Sequence, residues 1–315
     1  MAKKLVIALG GNALQSGSGP ATAEAQLEVV KSTCEFIADI CKEGYEVTLV
    51  HGNGPQVGRI LLMSETAKDV TPAMPFDVCG AMSQGMIGYH IQQALGNLLR
   101  KRGINKQVVS VVTQVVVDKN DPLFQKPSKP IGPFYTEEES KAIAAEKGYT
   151  MKEDAGRGWR RVVASPIPIE ITELEAVKCL IEKGFIVVTV GGGGIPVFKE
   201  ADGKLTGTAA VIDKDLASEK LAEDVDAGML VILTEVEKVC LNYRKSDQKD
   251  LDKITTAVAK QYISEGHFAP GSMLPKIEAA VKFVESKKGR KAIITSLDHA
   301  VAALAGKTGT TVSND

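Results

Sequence analysis

Three glycine-rich turns carry the residues best suited to bind an anion. Residues 10–12 and 52–54 read Gly-Gly-Asn and Gly-Asn-Gly, and each turn follows a short apolar run, 5–9 or 47–51. Glycine leaves backbone N–H groups free of side chains, and a turn that leads into a helix presents those groups to an anion. A third turn, the four glycines at 191–194, predicts that several loops hold one anionic ligand. Each turn alone would also suit an ordinary strand-to-helix connection.

Two lysines in the second half of the chain are placed to neutralise phosphate charge. Lys214 lies between Asp213 and Asp215 at the start of a predicted helix, and Lys276 follows Pro275 in the first turn of another. An ammonium group is a compact charge that suits phosphate oxygens, and a neighbouring aspartate can hold it in place. The pattern favours phosphate chemistry, although either lysine taken singly also fits a surface charge.

Motif absences and composition exclude several classes of protein. The sequence has no G-x-x-x-x-G-K-[ST] loop, no H-R-D or D-F-G set, and no G-x-G-x-x-G after the first strand. These absences disfavour P-loop NTPases, protein kinases and dehydrogenases. The 38 basic and 39 acidic residues give a net charge of −1, and there is one Trp. The sequence therefore lacks the basic surplus and the aromatic stripe that would suggest nucleic acid or an anionic membrane as a partner.

The compartment is predicted from the N-terminus and the cysteines. The apolar run at 5–9 follows Lys3 and Lys4 and imitates a signal peptide, but its five residues predict a buried first strand instead. No stretch approaches the ~20 apolar residues that span a bilayer. The five cysteines are widely spread and form no C-x-x-C pair, which favours a reduced cytosolic protein without structural disulfides. The four histidines are isolated, so we predict structural roles rather than zinc ligation for them.

The hydrophobic periodicity alternates between helix and strand along the chain. It predicts helices at 24–43, 81–102, 173–183, 209–223, 253–263, 275–287 and 297–305, and strands at 108–117, 185–190, 229–233 and 292–295. The alternation predicts a mostly parallel sheet with helices on both faces. At 315 residues the chain is long enough for one large α/β domain or two lobes.

One segment, residues 118–166, interrupts this alternation. Five prolines argue against a core strand or helix here, and a short helix at 136–147 is its only clear regular element. An insertion of this length is usually a lid or a small subdomain. Lys126 and Lys129 lie among its prolines, so the segment is either a solvated excursion or a lid that carries a cation over the ligand.

Motifs along essentially the whole chain resemble the amino acid kinase superfamily and, within it, the carbamate kinases. The segments that carry the resemblance are LGGNAL at 9–14, HGNGPQVG at 51–58, KPIGPFY at 129–135, GWRRVVASPIP at 158–168, GGGGIP at 191–196, IDKDLAS at 212–218 and GSMLPK at 271–276. Several long motifs in the family's order make the match specific.

The resemblance implies a three-layer αβα sandwich around a mostly parallel sheet, with a small protruding lid subdomain. It divides the chain into an N-terminal lobe (1–117 and 167–200) for carbamate or carbamoyl phosphate, the inserted lid (118–166), and a C-terminal lobe (201–315) for nucleotide. The implied reaction is reversible phosphoryl transfer between MgATP and carbamate. Mg²⁺ is carried by the nucleotide, without direct protein ligands. A cytoplasmic homodimer with a role in arginine or purine breakdown is also implied.

The resemblance assigns roles to residues that match the family's motifs. Lys129, Lys214 and Lys276 are the expected catalytic cations, and Asp215 organises the last two. The groups expected to hold the carbamoyl or phosphoryl oxygens are Gly10, Gly11, Asn12, Gly52, Asn53, Gly54, Gly192 and Gly193. The expected nucleotide contacts are Lys214, Thr234, Val236, Lys238, Tyr243, Met273 and Lys276. Tyr243 would pack on the base, although a hairpin that merely covers the sheet is the alternative for 234–243.

Two sequence features bear on the choice among relatives. Family members that phosphorylate amino acids usually carry a lysine on the first strand just before the Gly-Gly turn, and residues 6–9 contain none. This departure matches the carbamate kinases, where the lid supplies the cation as Lys129. The rivals are an enzyme of the superfamily that acts on a larger acid, such as acetylglutamate or uridylate kinase, and a non-catalytic nucleotide-binding regulator. The three lysines that are present count against the regulator.

One cysteine lies within the expected nucleotide segment. Cys240 is close in sequence to Lys238, whose charge would lower the thiol pKa if the side chain were exposed. The alternative is a buried and inert thiol.

Overall fold

The computed structural model describes residues 4–15, 19–154 and 156–314, so Met1, Ala2 and Lys3 of the signal-peptide-like N-terminus lie outside the described residues. The helices are α1 Ala23–Lys42, α2 Gly54–Thr66, α3 Phe76–Lys101, α4 Glu137–Lys147, α5 Leu174–Glu182, α6 Lys214–Asp224, α7 Thr256–Ser264, α8 Met273–Ser286 and α9 Ala300–Leu304. The strands of the first half are β1 Lys4–Leu9, β2 Glu46–His51, β3 Val108–Ser110, β4 Gln114–Val116, β5 Lys129–Tyr135, β6 Met151–Glu153, β7 Trp159–Val163 and β8 Glu170–Ile171. Those that follow are β9 Ile186–Val188, β10 Ile195–Lys199, β11 Leu205–Gly207, β12 Met229–Thr234, β13 Val239–Leu241, β14 Lys249–Leu251, β15 Lys253–Thr255, β16 Lys291–Ser296 and β17 Thr310–Ser313.

An eight-stranded sheet, in the order β15-β17-β16-β12-β1-β2-β9-β3, forms the middle layer. Every neighbouring pair is parallel except β16 with β17. Alternate residues of β1 enter different cores, because successive strand side chains point to opposite faces. Leu5, Ile7 and Leu9 pack with α1, α3 and α9, whereas Val6 and Ala8 pack with α5, α6 and α8. The predicted αβα sandwich is confirmed.

The predicted strand 108–117 is wrong as a single element. It forms two strands, β3 in the large sheet and β4 in a four-stranded sheet of order β11-β10-β4-β8. The Gln84 amide accepts from the Thr113 N–H at 2.8 Å and donates to the Thr113 carbonyl at 3.1 Å, and the Thr113 hydroxyl pairs with Thr189 at 2.7 Å. These buried hydrogen bonds redirect the chain in the middle of residues 108–117, whose composition alone predicts one continuous strand.

Two predicted helices begin later than expected. The helix expected from 209 begins at Lys214, because the Asp213 side chain caps it by accepting from the Asp215 N–H at 2.8 Å. The helix expected from 253 begins at Thr256, because Thr255 caps it and the residues before it form β15. The other predicted helices are confirmed, with shifts of a few residues at their ends and a short 3₁₀ turn, Leu297–His299, before α9.

The inserted segment contains more regular structure than expected. Its helix is confirmed as α4, but a three-stranded antiparallel sheet of order β5-β7-β6 is also present, so the expectation of a single regular element is wrong. Pro130 and Pro133 are tolerated because β5 lies at the edge of this sheet, with a register shift between Ile131 and Tyr135. The segment is therefore a folded subdomain.

The boundaries of the expected lobes cross continuous structure. The β1–β12 pairing joins strands of both lobes into one sheet, and the β10–β11 hairpin spans residue 200. The division into lobes stays a prediction. Within the described ranges, no helix combines the length and apolar character needed to cross a bilayer.

Candidate active site

A cavity of about 760 Å³ lies beyond the C-terminal ends of β1 and β12, where α6 and α8 begin. This edge of a parallel sheet is where open α/β folds bind ligands. The predicted site residues that line the cavity are Gly10, Gly11, Asn12, Lys214, Thr234, Val236, Tyr243, Met273 and Lys276. The structure thus brings together one glycine turn, two of the lysines and most of the expected nucleotide contacts.

The centre of positive charge is built on one buried carboxylate. Asp215 Oδ1 accepts from Lys214 Nζ at 2.5 Å, and its Oδ2 accepts from Lys276 Nζ at 2.9 Å. Burial alone would raise the pKa of Asp215, but the two lysines outweigh it and hold that pKa well below its usual range. Burial and the charge of Lys276 lower the pKa of Lys214, and Asp215 opposes them. Asp215 thus remains ionised and fixes both ammonium groups beside the cavity.

The lid supplies a third lysine to the same region. Lys129 Nζ, at the start of β5, lies 2.5 Å from Asp213 Oδ2. Asp213 also caps α6, so one side chain joins the lid to the helix that carries Lys214. The sequence prediction did not include Asp213 among the site residues, although its place just before a helix was the available indication.

The other two glycine turns do not line the cavity, and neither do the five site residues predicted in them, Gly52, Asn53, Gly54, Gly192 and Gly193. Asn53 Nδ2 donates to Ser83 Oγ at 2.8 Å, and Gly52 borders the Lys214 side chain, since an ideal Cβ there would meet Cδ at 3.4 Å. Gly192 has φ +68°, and a Cβ there would be 2.2 Å from Asn53 Nδ2. The third turn therefore supports the second by close packing, and substrate binding by either turn stays a prediction.

The lid is held against α2. A Cβ on Gly58 would lie 2.1 Å from Gly132 Cα, so α2 and β5 touch backbone to backbone. Glu65 of α2 accepts from Lys147 Nζ at 2.5 Å and from the Tyr149 hydroxyl. These contacts position β5 and with it Lys129.

Lys238 and Cys240, both in the expected nucleotide segment, differ in their relation to the cavity. Lys238 does not line the cavity and pairs with Asp252 at 2.7 Å, so its nucleotide contact stays a prediction. Cys240 lines the cavity but is buried, and burial followed by the charge of Asp250 raises its thiol pKa. Because the side chain is buried, the condition for a lowering by Lys238 is not met, and the burial that the alternative predicted is confirmed.

Sequence reasoning missed three lid residues that line the cavity. Asp154, Arg157 and Arg160 lie in its wall, next to Pro130. The adjacent arginines within the GWRRV segment were the available indication.

Comparison with known proteins is consistent with this site. The chain matches the amino acid kinase family over residues 3–296. Carbamate kinase from Clostridium perfringens is 56% identical over 312 residues, which cover 98% of this chain and 99% of that protein. Giardia lamblia carbamate kinase bound to AMP-PNP superposes with a TM-score of 0.92 at 45% identity, covering 100% of this chain and 99% of that one. The same Giardia enzyme thiocarbamoylated by disulfiram gives a TM-score of 0.89 at 44% identity, with the same coverage of both chains. The chain therefore belongs to the amino acid kinase family and, within it, to the carbamate kinases.

Proposed function

We propose that this chain catalyses reversible transfer of a phosphoryl group between carbamoyl phosphate and ADP, which yields ATP and carbamate. The observation that carries the proposal is the pair of lysines held by Asp215 at the wall of a nucleotide-sized cavity. Phosphoryl transfer needs positioning and charge stabilisation more than covalent catalysis. Two ammonium groups fixed by a buried carboxylate supply both without rearrangement during the reaction.

Each side of the reaction uses its own groups. Lys214 and Lys276 neutralise the transferring phosphoryl group and the nucleotide phosphates, and Asp215 keeps them in position. Gly10, Gly11 and Asn12 offer donors to the phosphoryl oxygens from the turn after β1. Lys129 approaches from the lid and neutralises the carbamoyl phosphate, and lid closure excludes the water that would compete as acceptor.

We propose Mg²⁺ as the metal, carried by the nucleotide. Mg²⁺ is usually held by one or two carboxylates together with substrate phosphates. The carboxylates nearest the lysines, Asp213 and Asp215, are already ion-paired with them, which supports phosphate oxygens as the main ligands. When bound, the metal ion neutralises charge on the β- and γ-phosphates.

The reaction is tested with a coupled assay for ATP. Carbamoyl phosphate and ADP are expected to give ATP in the presence of Mg²⁺, whereas acetylglutamate and UMP are expected to remain unphosphorylated by ATP. The reason is that we expect the glycine turns to form a pocket that accommodates a very small acid. Comparable turnover of acetylglutamate or UMP would contradict the assignment, and ADP binding without any turnover would indicate a regulator.

Cys240 is expected to be the thiol whose modification inactivates the enzyme. It lines the cavity, so an added group there obstructs the nucleotide, and ADP should protect it. Because burial raises its thiol pKa and the thiolate is the reactive form, the rate of inactivation by iodoacetamide should keep rising as pH increases past about 8.5. Cys240→Ala should resist inactivation, whereas Cys179→Ala, which removes an exposed thiol, should remain sensitive. Equal inactivation of the wild type and Cys240→Ala would contradict this prediction.

We also propose that the chain forms a homodimer through the outer face of α3. Val78, Met82 and Tyr89 are exposed along one stripe of that helix. Replacing Met82 and Tyr89 together by glutamate should shift the mass in sedimentation from dimer to monomer. Lys31→Glu, at an exposed position of α1, is the charge control. A wild-type chain that sediments as a monomer would refute the proposal.

A further inference from the structure

Two adjacent arginines of the lid serve opposite faces of its sheet. Arg160 and Arg161 are successive residues of β7, so their side chains point to opposite sides. Arg161 lies over the Tyr149 ring at 3.5 Å and faces the Glu65 cluster that holds the lid against α2. Arg160 lines the cavity instead. The strand that anchors the lid therefore also presents a guanidinium group to the cavity.

The Arg160 guanidinium is held in place by hydrogen bonds that use only some of its donors. Its Nε donates to the Gly132 carbonyl at 3.1 Å, and one terminal nitrogen donates to Asp154 Oδ2 at 3.1 Å. Its other terminal nitrogen has no acceptor among the described residues. The guanidinium also lies 5.1 Å from the Phe134 ring, and only 13% of the side chain is exposed. These contacts orient the group without using all its donors.

A second guanidinium shares the same carboxylate. Arg157 donates to Asp154 Oδ1 at 3.1 Å and lies 5.0 Å from the Phe134 ring. Two positive charges against one negative charge leave a surplus on the lid side of the cavity. Lys214 and Lys276, which share Asp215, add a second surplus of positive charge to the same cavity. The acidic residues of the lining are Asp154 and Glu235. The cavity is thus built for a ligand with several negative charges.

We propose that Arg160, assisted by Arg157, binds the phosphate groups of the nucleotide, so that the lid itself recognises ADP and ATP. The identity of the ligand rests on the function proposed above. The phosphoryl group of carbamoyl phosphate has the same chemistry, but a cavity of 760 Å³ that Tyr243 and Met273 also line fits a nucleotide better. Arginine forms two parallel hydrogen bonds to phosphate, and the free terminal nitrogen of Arg160 is available for this.

The test measures ADP binding alone by calorimetry, with no second substrate. Arg160→Ala should weaken ADP binding by about 10- to 100-fold, the range for losing a hydrogen-bonded charge. The more exposed Arg157 should contribute less on substitution by alanine. Arg160→Lys keeps the positive charge but removes the planar guanidinium with its parallel N–H donors, so it should also weaken ADP binding. Arg100→Ala, on the surface of α3, is the matched control and should bind ADP as the wild type does.

Asp154→Asn separates phosphate binding from a structural role. If the Asp154–arginine pairs serve only to keep the lid folded, removing the carboxylate should weaken ADP binding as the arginine substitutions do. If the arginines bind phosphate, removing the carboxylate that competes for them should strengthen ADP binding at low salt. Opposite directions for Asp154→Asn and Arg160→Lys support the proposal, and the same direction overturns it.

Unchanged ADP affinity in both Arg160 variants would also overturn the proposal. If the same variants raise the KM for carbamoyl phosphate, the arginines would be assigned to the second substrate instead. Because ATP formation by the wild type is measured separately, either failure is distinguishable from failure of the proposed reaction. Hydrogen exchange of residues 151–163 should slow on addition of ADP to the wild type and stay unchanged in Arg160→Lys, provided both proteins are equally protected in the large sheet.

Discussion

Replacing Lys214 or Lys276 by alanine is expected to lower kcat by about 10² to 10³, the loss seen when a preorganised donor to the transition state is removed. Each ammonium group is held by Asp215 at the cavity wall, at 2.5 Å and 2.9 Å, so neither has to be ordered during turnover. The measurement is steady-state ATP formation with both substrates saturating. Lys220→Ala is the matched control, because Lys220 lies in α6, the helix that carries Lys214, and pairs with Asp224 instead of Asp215.

The carboxylate between the lysines gives this prediction a dependence on pH. Burial and Lys276 lower the pKa of Lys214, and the negative charge of Asp215 opposes that effect. Asp215→Asn removes the opposing charge, so the pKa of Lys214 falls further and the ammonium group deprotonates at lower pH. The variant should therefore turn over slowly and lose activity at a lower pH than the wild type as pH rises. Near-normal activity in all three variants would place the charge stabilisation elsewhere.

Lys129→Ala should cut kcat/KM for carbamoyl phosphate by orders of magnitude and leave ADP binding nearly unchanged. Residues 6–9, directly before the first Gly-Gly turn, contain no lysine, and the lid places Lys129 next to the start of α6, on Asp213. The measurements are initial rates over a range of carbamoyl phosphate concentrations and calorimetry with ADP. Lys126→Ala is the matched control, because that lysine is exposed in the same insertion.

The same prediction requires the lid to move. Without ligand, residues 118–166 should exchange backbone hydrogens faster than the large sheet, because the lid sheet has only three strands, two of them at its edges, whereas both faces of the large sheet are covered. Carbamoyl phosphate and nucleotide together should slow this exchange. Equal protection in both states, or activity retained by Lys129→Ala and lost by Lys126→Ala, would overturn the role of Lys129.

The sequence by itself determined the layers of this protein and much of its chemistry. Alternating apolar periods predict strands and helices because a period of 2 or 3.6 residues places side chains on one face, and the sheet has both faces covered as predicted. The lysines at 214 and 276 were also predictable, because each stands at a helix start where an anion is favoured. Local sequence patterns are sufficient where a single helix or strand determines the position of the residue.

Tertiary structure decided which of these residues meet. Lys129 and Asp213 are 84 positions apart and pair only because the lid docks on α2, where two glycines let the backbones touch. The run at 108–117 divides between two sheets because Gln84, from another helix, captures Thr113. The second and third glycine turns pack on each other and do not line the cavity, although their sequences resemble the first. Such outcomes depend on contacts between distant segments, and no local pattern of residue types contains them.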